Sequence, residues 1–340
     1  MSVLTMPAQP GQGTAARPLP WRRMGWVTWR QHRATLISVP AVIAAVAVFL
    51  VVFGLQVHHA YATLVHCPLN QGAQSAACAA AFRNFNNTDW PLANACSILM
   101  ALAPVLIGAF AGAPLLAREL ETGTYRYAWT QGLGRERQVI AKLVLVGLTL
   151  TVLAAVLGQL FAWFFQPFLY TEQMNNLSTE GVFDTQGLAF PAFTLVSFAI
   201  GAFLGMLFRR IIPALAATLG VYLVVRLGAW ALRGQYPLSV VTSNAKLINS
   251  FDTPSHPGFP WVLTSWVTGP GGQLASPAIQ SQVQNAPGAG ASVPPGYTEW
   301  FRWIPPDRFW PMQFIESGWL LVLAVAIMAG TVWLVRRRAA

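Results

Sequence analysis

Charge is what this sequence has least of. Only 9% of its 340 residues are Asp, Glu, Lys or Arg, while 55% are hydrophobic. Soluble domains carry about 25% charged residues, so this composition excludes a water-soluble globular class and indicates a polytopic membrane protein. Signatures of self-contained chemistry are missing as well. There is no GxxxxGK[ST] phosphate loop, no HExxH, no paired CxxC and no carboxylate cluster within the apolar runs. The chain is therefore not expected to be an enzyme, nor to hold ATP, another cofactor or a metal by itself. The net charge of +10 raises nucleic acid as a partner. Its basic residues, however, lie at the ends of apolar runs rather than in one domain with interleaved aromatics, and no nucleic-acid partner is expected.

What the sequence has in abundance is apolar runs of bilayer length, each near the 20 residues that a spanning helix needs. Six are read, over residues 34–57, 92–117, 139–165, 188–208, 211–232 and 318–335. The fold class expected is an all-α polytopic membrane protein, with a six-helix permease-like domain over residues 34–338. Arg209 and Arg210 alone separate the fourth and fifth runs, and Pro213 suits a first helical turn, so a tight hairpin is expected there. Gly108 with Gly112, and Gly201 with Gly205, form GxxxG pairs that permit close backbone approach, either inside one bundle or at a seam between subunits. Pro40, Pro104 and Pro114 are expected to kink or end their helices.

Residues 1–20 hold too little apolar surface to fold and lack the core of a cleavable signal peptide, so disorder is expected. Residues 21–33 differ. At 100° per residue, Arg22, Arg23, Arg30 and Arg33 share one arc, opposite Trp21, Met24 and Val27, while Trp26 falls on the basic arc and Trp29 at its edge. This reads as an amphipathic helix lying on membrane lipid, or as a basic flank of the first span.

Charge also sets the orientation. With both termini cytosolic, the inner segments carry 15 Lys and Arg against 3 acids, whereas the outer ones carry 5 basic residues and 8 acids. That is the positive-inside bias of a multi-pass cell-membrane protein, here of a bacterial cytoplasmic membrane. Trp90, Trp163, Trp230 and Trp319 would mark the outer interface and Trp333 the inner one. The largest extracellular segment is 233–317, with two Trp-bearing pieces around a Gly- and Pro-rich middle, expected to form a small cap or short surface helices. Cys67 and Cys78 share the outer, oxidising side and suit a loop-closing disulfide. His58, His59, His66 and Cys67 offer metal ligands instead, although their spacing fits no zinc pattern. Cys96 lies inside the second span. Arg226 is the intramembrane charge, read either as functional or as snorkelling to the headgroups.

Between the second and third runs lies a polar loop, residues 118–138, within the stretch ARELETGTYRYAWTQGLGRERQVIAKL. Polar backbone of this kind must leave the hydrocarbon, and the five basic residues of the whole stretch, Lys142 included, place it in the cytosol. A short helix pinned to headgroups by Arg118 and Arg135, with Glu119 and Glu121 facing the cytosol, would suit docking into a basic cleft. An ordinary solvated loop is the alternative.

A spanning helix followed by RELETGTYRYAWTQGLGRERQVIAKL resembles the corresponding region of type-2 ATP-binding-cassette exporter permeases. WVTWRQHR before the first span and RFWPMQFIESGWLLVLA into the last resemble actinobacterial members of that group. The resemblance implies a coupling helix seated on a cytosolic ATPase and formed by Arg118, Glu119, Glu121, Gly123, Thr124 and Tyr125, with the 21–33 helix also touching that ATPase. It further implies two ATPase subunits, which bind ATP and Mg, and a second permease copy in a homodimer. In relatives, two short helices returning toward the membrane are expected before the last span.

The function expected is a permease subunit coupling a separate ATPase to efflux of an amphipathic or hydrophobic drug, antibiotic, peptide or lipid. Two alternatives have other signatures: a membrane sensor or immunity protein using the outer segment, and a membrane-embedded transferase with carboxylates drawn from Glu172, Asp184 or Asp307.

Overall fold

The computed structural model describes residues 21–67, 76–123, 135–169, 182–243, 261–284 and 293–338. Six of its helical stretches are long and apolar enough to cross a membrane. Helix α1 (Trp21–Leu64) runs unbroken through residues 21–33 and past Pro40. No break therefore stands at 33/34, and the first helix ends seven residues beyond the expected 57. The expected outer loop is also largely helical, because α2 (Ala76–Asn84) leads straight toward α3 (Trp90–Ile107) and α4 (Ala113–Glu121).

Two wide π turns interrupt this second rod, at Phe85–Asp89 and Gly108–Gly112. Each immediately precedes an X-Pro pair, Trp90-Pro91 and Ala113-Pro114. A proline inside an α-helix loses one backbone bond and crowds the carbonyl four residues earlier. Adding one residue to the turn moves that carbonyl away, and the ladder resumes with Trp90 N–H on Phe85 O and Ala113 N–H on Gly108 O. Pro114 is thus absorbed without ending the rod.

Helix α5 (Arg135–Leu169) is the third span, and α6 (Ala189–Phe208) and α7 (Ile211–Arg233) form the expected hairpin. Arg209 makes its turn in the left-handed conformation at φ 55°, its N–H on Gly205 O, and extended Arg210 begins α7.

Helix α6 is the post of the bundle. Of its spanning window 83% is buried, against 17% for α1 and for α7, and α3, α4, α5, α7 and the last helix all pack on it. The closest approach joins the two GxxxG pairs within one chain. A Cβ on Gly201 would stand 2.8 Å from Ala113 N, one on Gly112 would stand 2.6 Å from Phe198 O, and Gly108 meets Ser197. The subunit-seam alternative for these glycines gives way to an intrachain one. Phenylalanines fill one end of the core, where Phe161, Phe164, Phe165 and Phe168 of α5 meet Phe85, Leu50, Val57 and Phe190.

The fold is not all-α. Between α7 and the last helix, β1 (Val240–Ser243), β2 (Trp261–Thr268) and β3 (Thr298–Ile304) form an antiparallel sheet in the order β1-β3-β2. The segments WVLTSWVT and TEWFRWI are rich in aromatic and β-branched residues, which favour a pleated, half-buried surface over short helices. Trp266 pairs with Trp300, and Val240 and Val262 both pair with Trp303. Part of the expected linker folds too, as α8 (Pro277–Gln284), whose Val283 and Ile279 cover Val267. The last helix, α9 (Phe309–Arg338), starts nine residues before the expected 318 and so takes in Gln313 and Glu316.

Candidate functional site

Two polar clusters lie at opposite ends of this apolar bundle. The first surrounds the end of α4. Lys142 of α5 is 1% exposed and pairs with Glu119. A buried ammonium needs such a partner, since an isolated charge in a low-dielectric interior is prohibitively costly. Leu116, Leu120, Gln138, Val139, Met206 and Val335 line the recess around the pair, with Gln138 Oε1 buried and unpartnered. Two residues further on, Glu121 Oε2 accepts the Ile211 N–H at 3.0 Å. This carboxylate caps the first turn of α7, where the helix dipole favours negative charge. At the same end, Glu136 of α5 pairs with Arg336 of α9 at 2.6 Å.

Glu119 is thus turned to α5, whereas Glu121 is exposed and also reaches the first N–H of α7. Arg118, Arg137, Arg209, Arg210 and Arg337 stay exposed at this end. The exposed side chains at this end are mainly basic, with Glu121 among them. Gly123 closes α4 with φ 70°, a left-handed position where glycine avoids a Cβ clash. Thr124 and Tyr125 lie outside the described residues, as do the side chains of Trp21, Arg22, Arg23, Trp29, Arg30 and Arg33.

The second cluster sits where α7 ends and α9 begins. The Arg233 guanidinium is bidentate to two carboxylates: Nε donates to Glu316 Oε2 at 2.8 Å, Nη1 to Asp184 Oδ2 at 3.1 Å, and Nη2 to both acids. Arg226 pairs with Asp184 as well and lies over the Phe193 ring at 4.9 Å. Two cations therefore balance two anions. Arg233, Asp184 and Glu316 are 3%, 4% and 0% exposed, and Arg226 is 24% exposed. Arg226 turns inward to a carboxylate, and the snorkelling alternative is not the arrangement found. Gln313, one turn before Glu316, ties in the start of α6. Its Oε1 accepts the Leu188 and Ala189 N–H groups at 3.0 and 2.8 Å, and its Nε2 donates to Phe183 O. Trp319 donates to the Tyr236 hydroxyl at 3.1 Å, and burial holds that phenol above its ordinary range.

Sequence reading missed Arg233, Glu316 and Gln313 because it ended helix five at 232 and began helix six at 318. The signal was present. Tyr222, Arg226, Ala229 and Arg233 recur at helical spacing, and FWPMQFIESGWLL continues an apolar helix through Glu316. Asp184, considered above as a transferase carboxylate, is committed to two arginines, whereas Asp307 is exposed and Glu172 lies outside the described residues. Cys67 and Cys78 are bonded, joining the end of α1 to α2. His58 stacks on Trp163, its Nε2 3.0 Å from Trp163 O. Among the described residues no three His, Cys, Asp or Glu group in a metal-ligating arrangement.

Six apolar helices long enough to cross a bilayer, one of them a buried post, define a multi-pass membrane protein. A family model described as "ABC-2 membrane transporter related" matches residues 40–233, more than half of the chain and five of its six spans. The chain belongs to that family, and is a permease-type membrane protein whose membership implies partnership with ATP-binding-cassette ATPase subunits. No curated protein and no solved structure matches it.

Proposed function

We propose that this chain is the permease subunit of an ATP-driven exporter, coupled at the end of α4 to a separate cytosolic ATPase. The observation that carries this reading is the anchoring of that end. Glu119 fastens it to α5 and Glu121 fastens it to the start of α7. A partner displacing residues 118–125 would therefore move two spanning helices rather than a loose loop. Arg118 and the neighbouring exposed arginines make the contact, on an acidic cleft, while Glu119, Glu121 and Gly123 transmit the displacement and Thr124 and Tyr125 extend the contact surface. Two ATPase subunits, which hold ATP and Mg, act on a homodimer of this chain in a bacterial cytoplasmic membrane, with both chain termini cytosolic. Binding that favours one arrangement of the pair shifts the permease population toward release. The apolar, aromatic bundle suits an amphipathic or hydrophobic cargo.

Arg118→Glu is the sharper test, because Glu121→Lys would also remove the cap on α7. With its side chain exposed, Arg118→Glu should leave insertion and thermal stability unchanged but weaken ATPase co-purification at least tenfold, or about 1.4 kcal/mol. Full co-purification and undiminished ATP-dependent efflux would overturn the assignment.

A further inference from the structure

The buried ion network is placed for more than holding one helix. Helices α7 and α9 both pack on α6 and have little contact with each other. Only 17% and 28% of their spanning windows are buried, and each helix is packed on α6 rather than on the other. At the end where α7 stops, the link between them is ionic. Arg233 reaches from α7 to Glu316 on α9 and to Asp184 in the turn before α6, and Arg226 adds a second contact to Asp184. Gln313 and Trp319 tie the same stretch of α9 to the start of α6 and to Tyr236.

Apolar residues of matching shape would hold these elements as well as three buried charges and the half-buried Arg226 do, because an ion pair repays its desolvation only when every partner is in place. The same dependence makes the network all-or-none. With one carboxylate gone, a guanidinium is left buried without its counter-charge, and the remaining contacts weaken together.

We propose that Asp184, Arg226, Arg233 and Glu316 form a clasp that holds this end of the bundle shut, and that α7 and α9 swing apart on the fixed α6 when it opens. The inference rests on the permease reading, which makes this the cargo-release end. Its four members position the helices and need not touch cargo.

The full-length chain in nanodiscs, without the ATPase, provides the test, so that failure here is distinct from failure of the coupling assignment. Ser317, beside Glu316, is 4% exposed, and Ser317→Cys introduces a nearly isosteric probe. Buried Cys96, in the phenylalanine-rich cluster, reports global unfolding within the same molecule. In an Asp184→Asn background a membrane-impermeant maleimide should label Cys at 317 at least tenfold faster, with Cys96 still unreactive. Glu316→Gln, which keeps the side-chain shape, should produce a smaller rise in the same direction. Labelling that stays slow in both backgrounds, or that rises only in step with Cys96, overturns the clasp. Hydrogen exchange on the unsubstituted chain keeps the question open to measurement if both variants misfold. Amides of residues 188–190 and of Gln235, Tyr236 and Leu238 should then exchange together through one local opening, and exchange only through global unfolding would refute the proposal.

Discussion

Glu299 on β3 is a carboxylate with little to hold it. It is 5% exposed, its Oε2 has no partner, and Val267 stands opposite it on β2. Burial raises its pKa above the ordinary carboxylate value. The sign of the consequence follows from linkage. Between the ordinary and the raised value the unfolded chain has lost a proton that the folded chain keeps, so stability falls as pH rises through that window and stays at its lower level above it. Protection of the β3 amides should accordingly be greater in mild acid than at neutral pH. Glu299→Gln should abolish that dependence and stabilise the sheet at pH 7 by about 1 kcal/mol, the scale of one buried polar group relieved of its charge. A pH profile identical in the variant would assign the effect to another group. Arg209 is a second residue held against its preference. Arg209→Gly should relieve the left-handed turn by about 1 kcal/mol, read as a raised midpoint of thermal unfolding. Sequence reading placed the hairpin correctly from RR and Pro213, but it offered no reason for Arg rather than Gly at φ 55°.

Among the helices, the glycine contacts discriminate sharply between positions of identical type. Gly201 faces the backbone of Ala113, whereas Gly220 and Gly228 on α7 face nothing within 4 Å. Gly201→Leu should therefore cost at least about 3 kcal/mol, or prevent assembly, because neither backbone can retreat from the added volume. Gly220→Ala and Gly228→Ala should be neutral or slightly stabilising in the same thermal measurement. The two GxxxG pairs were legible in the sequence, but that they pack on each other was not. Spacing marks which helical face is small and says nothing of what meets it. The Lys142–Glu119 pair shows the same limit, since the sequence set Glu119 in the loop facing the cytosol and Lys142 near the start of the third run, and nothing in it joined the two until α4 and α5 were set side by side.

At the scale of the whole molecule, hydrophobic length carried most of what could be read. Six spans, the hairpin and the polar ends follow from runs that no water-soluble fold would tolerate. The sheet was not legible as a sheet, because its strands are separated by long irregular stretches and β3 pairs with both others across them. Orientation is where charge and architecture meet. The end bearing Arg118, Arg209, Arg210 and Arg336 carries the basic excess, and the proposed orientation sets it in the cytosol by the positive-inside bias, with the sheet and α8 outside. Ser281 on α8 and Thr122 after α4 are both exposed, so each accepts a cysteine with little structural cost. In intact cells an impermeant maleimide should label Ser281→Cys, while Thr122→Cys should react only after the membrane is permeabilised. The reverse pattern would put the end of α4 outside, beyond the reach of any cytosolic ATPase, and would remove the coupling assignment together with the direction of transport.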